Sequence, residues 1–235
     1  MNKNLLYFSI DKNYIELLKY NLDLLKNKLE NFDICCIIPQ DLNFYIPDVK
    51  KYIIYDNFNL HSSRFLITSW EDYEKYENFL YLDADALVLK SIGKIFELIQ
   101  INPDFIHGVK ELNDISSTKD PFFRFTDNII PNAIGYNSGT FGFNKKMKNI
   151  FLEFVEYINL NKNKALNDQP LYNEFFNSKK IILPTLSNFV YLEDPINFYE
   201  NNKINLMHKN DATIIHFLGN YGDNSYKLRK IKEKL

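Results

Sequence analysis

From its amino terminus the chain alternates short, almost wholly apolar runs with segments whose apolar residues recur every three or four positions. That pattern predicts strands buried on both faces of a sheet, with helices covering them. Residues 5–10 form the first run, and residues 11–13 supply a turn. Ile15, Leu18, Leu22, Leu25 and Leu29 then lie along one face of a helix, with Asn13 and Glu16 spaced as a capping box. Residues 34–38 predict a second strand stopped by Pro39, residues 52–55 a third stopped by Asp56 and Asn57, and residues 62–76 a helix. Strand, helix, strand, strand is an α/β order. Further on, residues 92–99 read as a helix capped by Ser91, 105–109 and 140–143 as strands, 147–158 and 168–176 as helices, and 181–183 and 213–217 as late strands. Residues 110–135 lack clear periodicity, are broken by Pro121 and Pro131, and read as a substrate-side excursion. No internal repeat or linker divides the 235 residues, so one domain over 1–235 is expected.

The stretch on which a function can be built is FLYLDADALVLKSI, residues 79–92. An apolar run presents two carboxylates, Asp83 and Asp85, and then turns apolar again. Side chains alternate on an extended chain, so both acids project to one side while Ala84 faces away and leaves room for a ligand. Acids held against a core repel one another and lose hydration, and a bound cation offsets both effects. Mg²⁺ and Mn²⁺ favour carboxylate oxygens, and Mg²⁺ is commonly held by one or two carboxylates together with substrate phosphates. A nucleoside diphosphate would complete such a shell. The competing reading is a solvated turn at a strand end. Position favours the site, because open α/β sheets bind ligands at the carboxyl ends of their strands.

Composition narrows the partners. Lys and Arg number 28 against 30 Asp and Glu, a net charge of -2, which excludes a nucleic-acid binder that depends on broad positive charge and points to a small polar ligand. No apolar run is long enough to span a bilayer, and the start MNKNLLYFSIDKN lacks an apolar segment of signal-peptide length, so a cytoplasmic protein is expected. Cys35 and Cys36 are adjacent within an apolar run and read as buried strand residues rather than as a disulfide or metal pair.

Four stretches, taken in order, resemble the family 8 glycosyltransferases, the group that contains glycogenin and the bacterial lipopolysaccharide hexosyltransferases. FLYLDADALVLKSI resembles the family's metal-binding strand and turn, YNSGTFGFN its Asn-Ser-Gly segment, NDQPLYNEFF its Asp-Gln helix start, and TIIHFLGN its late His-Phe-x-Gly strand. The resemblance covers most of the chain. It implies the GT-A fold, a mixed and mainly parallel sheet between helices, with Mn²⁺ (or Mg²⁺) and a UDP-sugar donor. Asp83, Asp85 and His216 would hold the metal, with Asp83 also on the nucleotide side; imidazole is compatible with Mn²⁺, and a core histidine is the alternative for His216. Tyr14 and Asp56 resemble the residues that stack on the base and hold the ribose, where plain turn chemistry competes. Arg64 matches a basic residue that contacts phosphate or sugar, a role suited to a guanidinium fork, or else is a surface arginine. Asn137, Ser138 and Gly139 would contact the donor sugar, Gly139 by allowing close backbone approach, unless they are a turn into the strand. Gly219, in the late strand motif, joins the donor-binding set. Asp168 and Gln169 would lie beside the anomeric carbon as the catalytic pair, with Asp168 also placed to cap its helix. Retention of anomeric configuration is implied, through a carboxylate nucleophile such as Asp168 or through acceptor attack on the face from which UDP departs. Gln169 orients or stabilises, since an amide is a poor nucleophile.

The chain departs from the family at three places. NYGDNSYK follows the late strand instead of a Lys-Pro-Trp segment, so Gly222 stands where a lysine grips the diphosphate, and Lys227 is the available substitute. Tyr191 and Tyr199 are spaced differently from the self-glucosylated tyrosine of glycogenin, so self-glucosylation is not inferred. The family's acid just before Asn-Ser-Gly is absent, residues 134–136 being Ile, Gly and Tyr. The expected function is transfer of a hexose, from UDP-glucose or UDP-galactose, to a glycan, lipid-glycan or protein acceptor. One alternative is a catalytically silent nucleotide-sugar binder, favoured by the missing lysine. Another is a nucleotidyltransferase, which would want a Gly-rich loop near the first strand that FSIDKNY does not provide. The tail SYKLRKIKEKL interleaves Lys227, Arg229, Lys230, Lys232 and Lys234 with Leu228, Ile231 and Leu235. It is expected as a solvated terminal helix or, over 226–235, as a basic amphipathic segment making peripheral membrane contact. A homodimer is left open.

Overall fold

The computed structural model describes residues 3–28, 31–42, 45–47, 49–54, 60–111, 134–161, 168–193, 211–218 and 224–235. Asp56 and Gly219 of the expected site, and most of the 110–135 excursion, lie outside these residues. In chain order the elements are β1 (Asn4–Ser9), α1 (Ile15–Leu25), β2 (Phe32–Pro39), β3 (Val49–Ile54), the short α2 (Leu60–Ser63), β4 (Asn78–Leu82), β5 (Ala86–Val88) and α3 (Gly93–Ile101). There follow β6 (Ile106–Lys110), β7 (Tyr136–Asn144), α4 (Lys148–Asn161), α5 (Asp168–Lys179), β8 (Ile182–Leu183), β9 (Val190–Glu193), β10 (Ile214–Phe217) and α6 (Asn224–Lys234).

Among the described residues a seven-stranded sheet has the order β3-β2-β1-β4-β7-β6-β8, and a three-stranded sheet the order β5-β10-β9. β1 lies parallel to β2 and β4, β2 to β3, and β6 to β8, while β7 runs antiparallel to β4 and β6. This is the expected mixed, mainly parallel arrangement. The apolar runs divide their residues between two cores with a period of two. Leu6 and Phe8 of β1, Leu80 and Leu82 of β4, and Cys36 of β2 face a cluster closed by α1, α3, Ile231 of α6 and the small sheet. Tyr7, Phe79, Tyr81 and Cys35 face a largely aromatic cluster closed by α4 and α5. Both cysteines are buried free thiols, as expected. In the aromatic cluster Phe65 meets Phe154 edge-on at 4.8 Å and Phe79 stacks on Phe143 at 5.0 Å, contacts that add about 1 kcal/mol each beyond their buried area.

Three local expectations change. The helix over 62–76 is instead α2 followed by 3-10 turns at Arg64–Ser69 and Tyr73–Lys75. Arg64, Phe65, Ile67, Thr68, Trp70 and Tyr73 are all buried, which the one-sided stripe of an α-helix does not allow, so the chain follows the aromatic core in short tight turns. Asn13 does not cap α1; its N–H donates to Asp11 at 2.7 Å, opening a 3-10 turn, Lys12–Tyr14, that precedes the helix. The strand over 140–143 begins four residues earlier, so Asn137, Ser138 and Gly139 lie within β7 and not in a turn leading to it. Ser91 does assist α3, its hydroxyl accepting from the Gly93 N–H at 3.3 Å.

The order of the large sheet places the crevice. From β1 the chain runs through α1 to β2 and β3 on one side, then returns to lay β4 on the other. The segments leaving β1 and β4 therefore diverge from neighbouring carboxyl ends, which is where such sheets open to ligands.

Candidate active site

β4 ends at Leu82, and the acids follow on a turn closed by the Ala86 N–H donating to Asp83 O at 2.9 Å. They reach one side through this turn, not through alternation along an extended strand. The outgoing strand β5 is fixed on both edges. Buried Asn21 of α1 donates to Ala86 O at 2.8 Å and accepts from the Val88 N–H at 3.1 Å. On the other edge β10 pairs antiparallel, with His216 opposite Ala86, and the Phe217 N–H donates to Asp85 O at 3.2 Å. That register delivers the imidazole from the far end of the chain. His216 Nε2 lies 3.3 Å from Asp85 Oδ1 and 3.7 Å from Asp83 Oδ2.

The trio suits a divalent cation. One ligand atom from each of Asp83, Asp85 and His216 falls within 4.8 Å of the others, and two carboxylates with an imidazole form a donor set for Mn²⁺ or a similar ion. Among the described residues, the buried Asp85 Oδ1 has no hydrogen-bond partner, so ligand capacity remains on that carboxylate. Beneath them Gly139 leaves the space open: a Cβ there would collide with Asp83 Oδ2 and the His216 ring.

Arg64 is buried and committed to the site's framework. Its Nη1 donates to Ser138 O at 2.8 Å and lies 3.1 Å from Asp83 Oδ1; its Nε is 3.6 Å from Asp168 Oδ2. Burial opposes its charge, but Asp168 and then Asp83 outweigh that and raise its pKa. The guanidinium sits 5.0 Å from the centre of the Tyr81 ring, whose hydroxyl donates to Asp83 at 2.5 Å. Arg64 thus ties the metal-side acid to Asp168, and the surface-arginine reading is excluded by its 5 % exposure.

β4 pairs with β7 only as far as Thr140. Beyond that point the Asp83 N–H still donates to Gly139 O at 2.8 Å, and side chains from α5 take over polar groups left on that edge, which burial requires to be paired. Gln169, Asn173 and Asn177 recur every fourth residue on α5: Gln169 accepts from the Ser138 N–H at 3.2 Å, Asn173 accepts from the Tyr136 N–H at 2.7 Å and donates to Tyr136 O at 3.0 Å, and Asn177 donates to Ile134 O at 2.9 Å. This stripe sets Asp168 and Gln169 against the Asn-Ser-Gly segment. Reading the sequence did not find Glu111. Its buried carboxylate accepts from Asn137 Nδ2 at 2.8 Å and Gln169 Nε2 at 3.2 Å. Glu111 directly follows β6, but the polar Lys110 separates it from the apolar run, so it lacks the signal that marks Asp83.

Tyr14 stands across the cleft, at the start of α1. Burial first, then Asp85 and Asp83, push its phenol up to about 12, so it stays neutral at ordinary pH. Ser9, Tyr14, Arg64, Tyr81, Asp83, Ala84 and Asp85 line a small cleft that opens beside the acid turn. Lys227 reaches the site from α6, but onto Asp85: its ammonium makes a short ion pair with Oδ2. Burial tends to raise the Asp85 pKa; Lys227 and His216 outweigh it and hold the group well below the usual carboxylate range. The tail is therefore a docked element. Ile231 is fully buried and Leu228 packs on the core, so these two side chains are not available to insert into lipid, while Arg229, Lys232 and the terminal Leu235 remain exposed. Among the described residues no helix is long and apolar enough to cross a membrane.

No curated protein sequence matches the chain. Among solved structures, it is similar to the galactosyltransferase LgtC in complex with donor and acceptor sugar analogs, at 14% identity and a TM-score of 0.68 over 98% of this chain and 95% of that one. The bifunctional glycosyltransferase WbbM (15%, TM-score 0.65, 93% and 46% covered) and the glycosyltransferase GlyE of Streptococcus pneumoniae TIGR4 (16%, TM-score 0.62, 100% and 61%) are also similar. The chain thus spans less than half of WbbM and under two thirds of GlyE. At these identities the likeness shows the architecture, which is the GT-A fold. Sequence makes the finer assignment: residues 7–221, from within β1 past the acid turn to the segment after His216, match the model of glycosyl transferase family 8, and the chain belongs to that family of glycosyltransferases.

Proposed function

We propose that the protein is a metal-dependent, retaining hexosyltransferase that takes glucose or galactose from a UDP-sugar. The observation that carries this reading is the convergence of Asp83, Asp85 and His216 within 4.8 Å of one another beside the cleft at the carboxyl ends of β1 and β4. A bound Mn²⁺ or Mg²⁺ would supply positive charge where the departing diphosphate gathers negative charge. The chain's own residues do the rest. Tyr14 offers an aromatic face to the base, and Arg64 holds Asp83 and Asp168 in fixed relation while lining the cleft. Asn137, Ser138, Glu111 and Gln169 present donors and acceptors suited to sugar hydroxyls. Asp168 and Gln169 sit at the sugar end, where Asp168 serves as nucleophile or supports attack from the leaving-group face. Asp56 and Gly219 keep their sequence-based assignments to ribose and donor. The acceptor is a glycan, a lipid-glycan or a protein.

A panel of nucleotide-sugars with Mn²⁺ or EDTA, scored for free UDP, tests the proposal. One UDP-hexose should be consumed with Mn²⁺ and spared with EDTA. Asp85→Asn should lower turnover by about 100-fold or more, the scale of losing a principal electrostatic stabiliser, with an unchanged circular dichroism spectrum. Full activity in that variant, or in EDTA, refutes the metal role. Lys227 on Asp85 favours a second reading, a nucleotide-sugar binder without turnover; tight donor binding with no UDP release under any condition would select it.

A further inference from the structure

The acid turn already contains a cation. Lys227 is 2 % exposed and pairs with Asp85 Oδ2, while the other oxygen of the same carboxylate faces His216. Its helix is held by other contacts. Ile231, one turn further along, is fully buried; Asn224 donates to Asn13 O at 3.0 Å; and the Lys232 ammonium lies 5.1 Å from the centre of the Tyr20 ring. α6 therefore stays docked whether or not the lysine keeps its partner. A divalent ion that takes Asp85 as a ligand needs the carboxylate that the ammonium holds, and two cations at such range repel strongly in a site with little water. The lysine stem is a flexible four-carbon chain, so the ammonium can leave Asp85 while its helix remains in place.

We infer that Lys227 is the internal counter-ion of the acid turn and is exchanged for the divalent cation when the donor binds. The inference rests on the proposed metal site. Its consequence is coupling. The displaced ammonium stays tethered to α6 beside Tyr14 and the acid turn, still charged and without its carboxylate, and a diphosphate is the anion that meets it there. Lys227 thus weakens metal binding to the protein alone and strengthens it when a nucleoside diphosphate is present. No covalent bond changes and no proton moves.

Mn²⁺ binding, read from the paramagnetic resonance of the free ion, tests this on the wild-type chain and Lys227→Met, each with and without UDP. Lys227→Met should bind Mn²⁺ alone about tenfold more tightly than wild type, and the tightening that UDP produces in wild type should shrink by about fivefold. Equal Mn²⁺ affinity in the two proteins overturns the inference and leaves the metal site standing. If neither protein binds Mn²⁺ even with UDP, both readings fall. Removing the ammonium strips a buried carboxylate of its partner, so the same point is also read without mutation. Acylation of Lys227 in the wild-type chain by an amine-reactive ester, followed by peptide mass spectrometry, should rise several-fold on saturation with Mn²⁺ and fall again when UDP is added. Labelling that Mn²⁺ leaves unchanged overturns the inference.

Discussion

A methyl group at position 139 would occupy the space between Asp83 Oδ2 and the His216 ring. The strand must pass directly beneath the converging ligands, and only a residue without a Cβ permits it. Gly139→Ala is therefore expected to splay the trio, weakening Mn²⁺ binding and UDP release by about 100-fold at a stability cost of about 1–3 kcal/mol, the range for overpacking a close-packed site. Titration with Mn²⁺ and denaturant unfolding check the two effects separately; wild-type metal affinity would remove the packing argument. At this scale the chemistry was largely readable. Asp83 and Asp85 announce themselves by following an apolar run, and Asp168 by opening a helix. Glu111 does not, because Lys110 parts it from the apolar run and it falls in the aperiodic stretch over 110–135. The commitments of Arg64 and Lys227 could not be read at all, because long side chains choose partners across the fold.

At the scale of elements, polar residues inside apolar faces do the positioning. Asn21 lies among Leu17, Leu18, Leu22 and Leu25 on the buried face of α1, and its amide completes the edge of β5. Asn21→Leu keeps the volume but leaves the Ala86 carbonyl and the Val88 N–H buried without a partner, at a cost of about 2 kcal/mol. Urea unfolding should show that loss, and Mn²⁺ affinity should fall with it because β5 leads directly out of the acid turn. Unchanged stability would mean that water replaces the amide. Long apolar strands were legible because burial on both faces writes a continuous run. β5 and β9 were not, since strands this short exist only through their pairing with β10. The 62–76 segment failed for a related reason: its many apolar residues serve an aromatic core on several sides, which no single period describes.

At the scale of the molecule, the site depends on joining the large sheet, whose β4 leads into the turn at Asp83, to the small one, which carries His216. His107 of β6 takes part in that join. It is fully buried, with Nδ1 2.8 Å from the Thr185 hydroxyl and Nε2 3.1 Å from the Asn102 carbonyl; Thr185 lies in the 3-10 turn between β8 and β9. The carbonyl accepts, so Nε2 carries the proton, Nδ1 accepts from Thr185, and the ring is neutral. Burial lowers its pKa, with the Asn102 contact opposing in part. The unfolded chain then takes up a proton below about pH 6.5 that the folded chain refuses. Stability from this group is complete above about pH 6.5 and declines as pH falls toward the lower folded value. Unfolding of the metal-free protein should show this decline, and His107→Gln should flatten it. The contribution from Asp85 has a separate window: its folded pKa is depressed, so it is complete above about pH 4 and lost only at lower pH.

Burial pattern and strand-end acids are local properties, so the sequence by itself determined the α/β order, the paired carboxylates and, through four motifs in order, the glycosyltransferase family. The tertiary structure alone decided that the acids stand on a turn, that Glu111 and the α5 amides bind the Asn-Ser-Gly segment, that the basic tail is docked inward, and that Lys227 rests on Asp85. Each of these joins residues far apart in the chain, and such contacts arise from packing and from the need to pair every buried charge, which neither period nor spacing records.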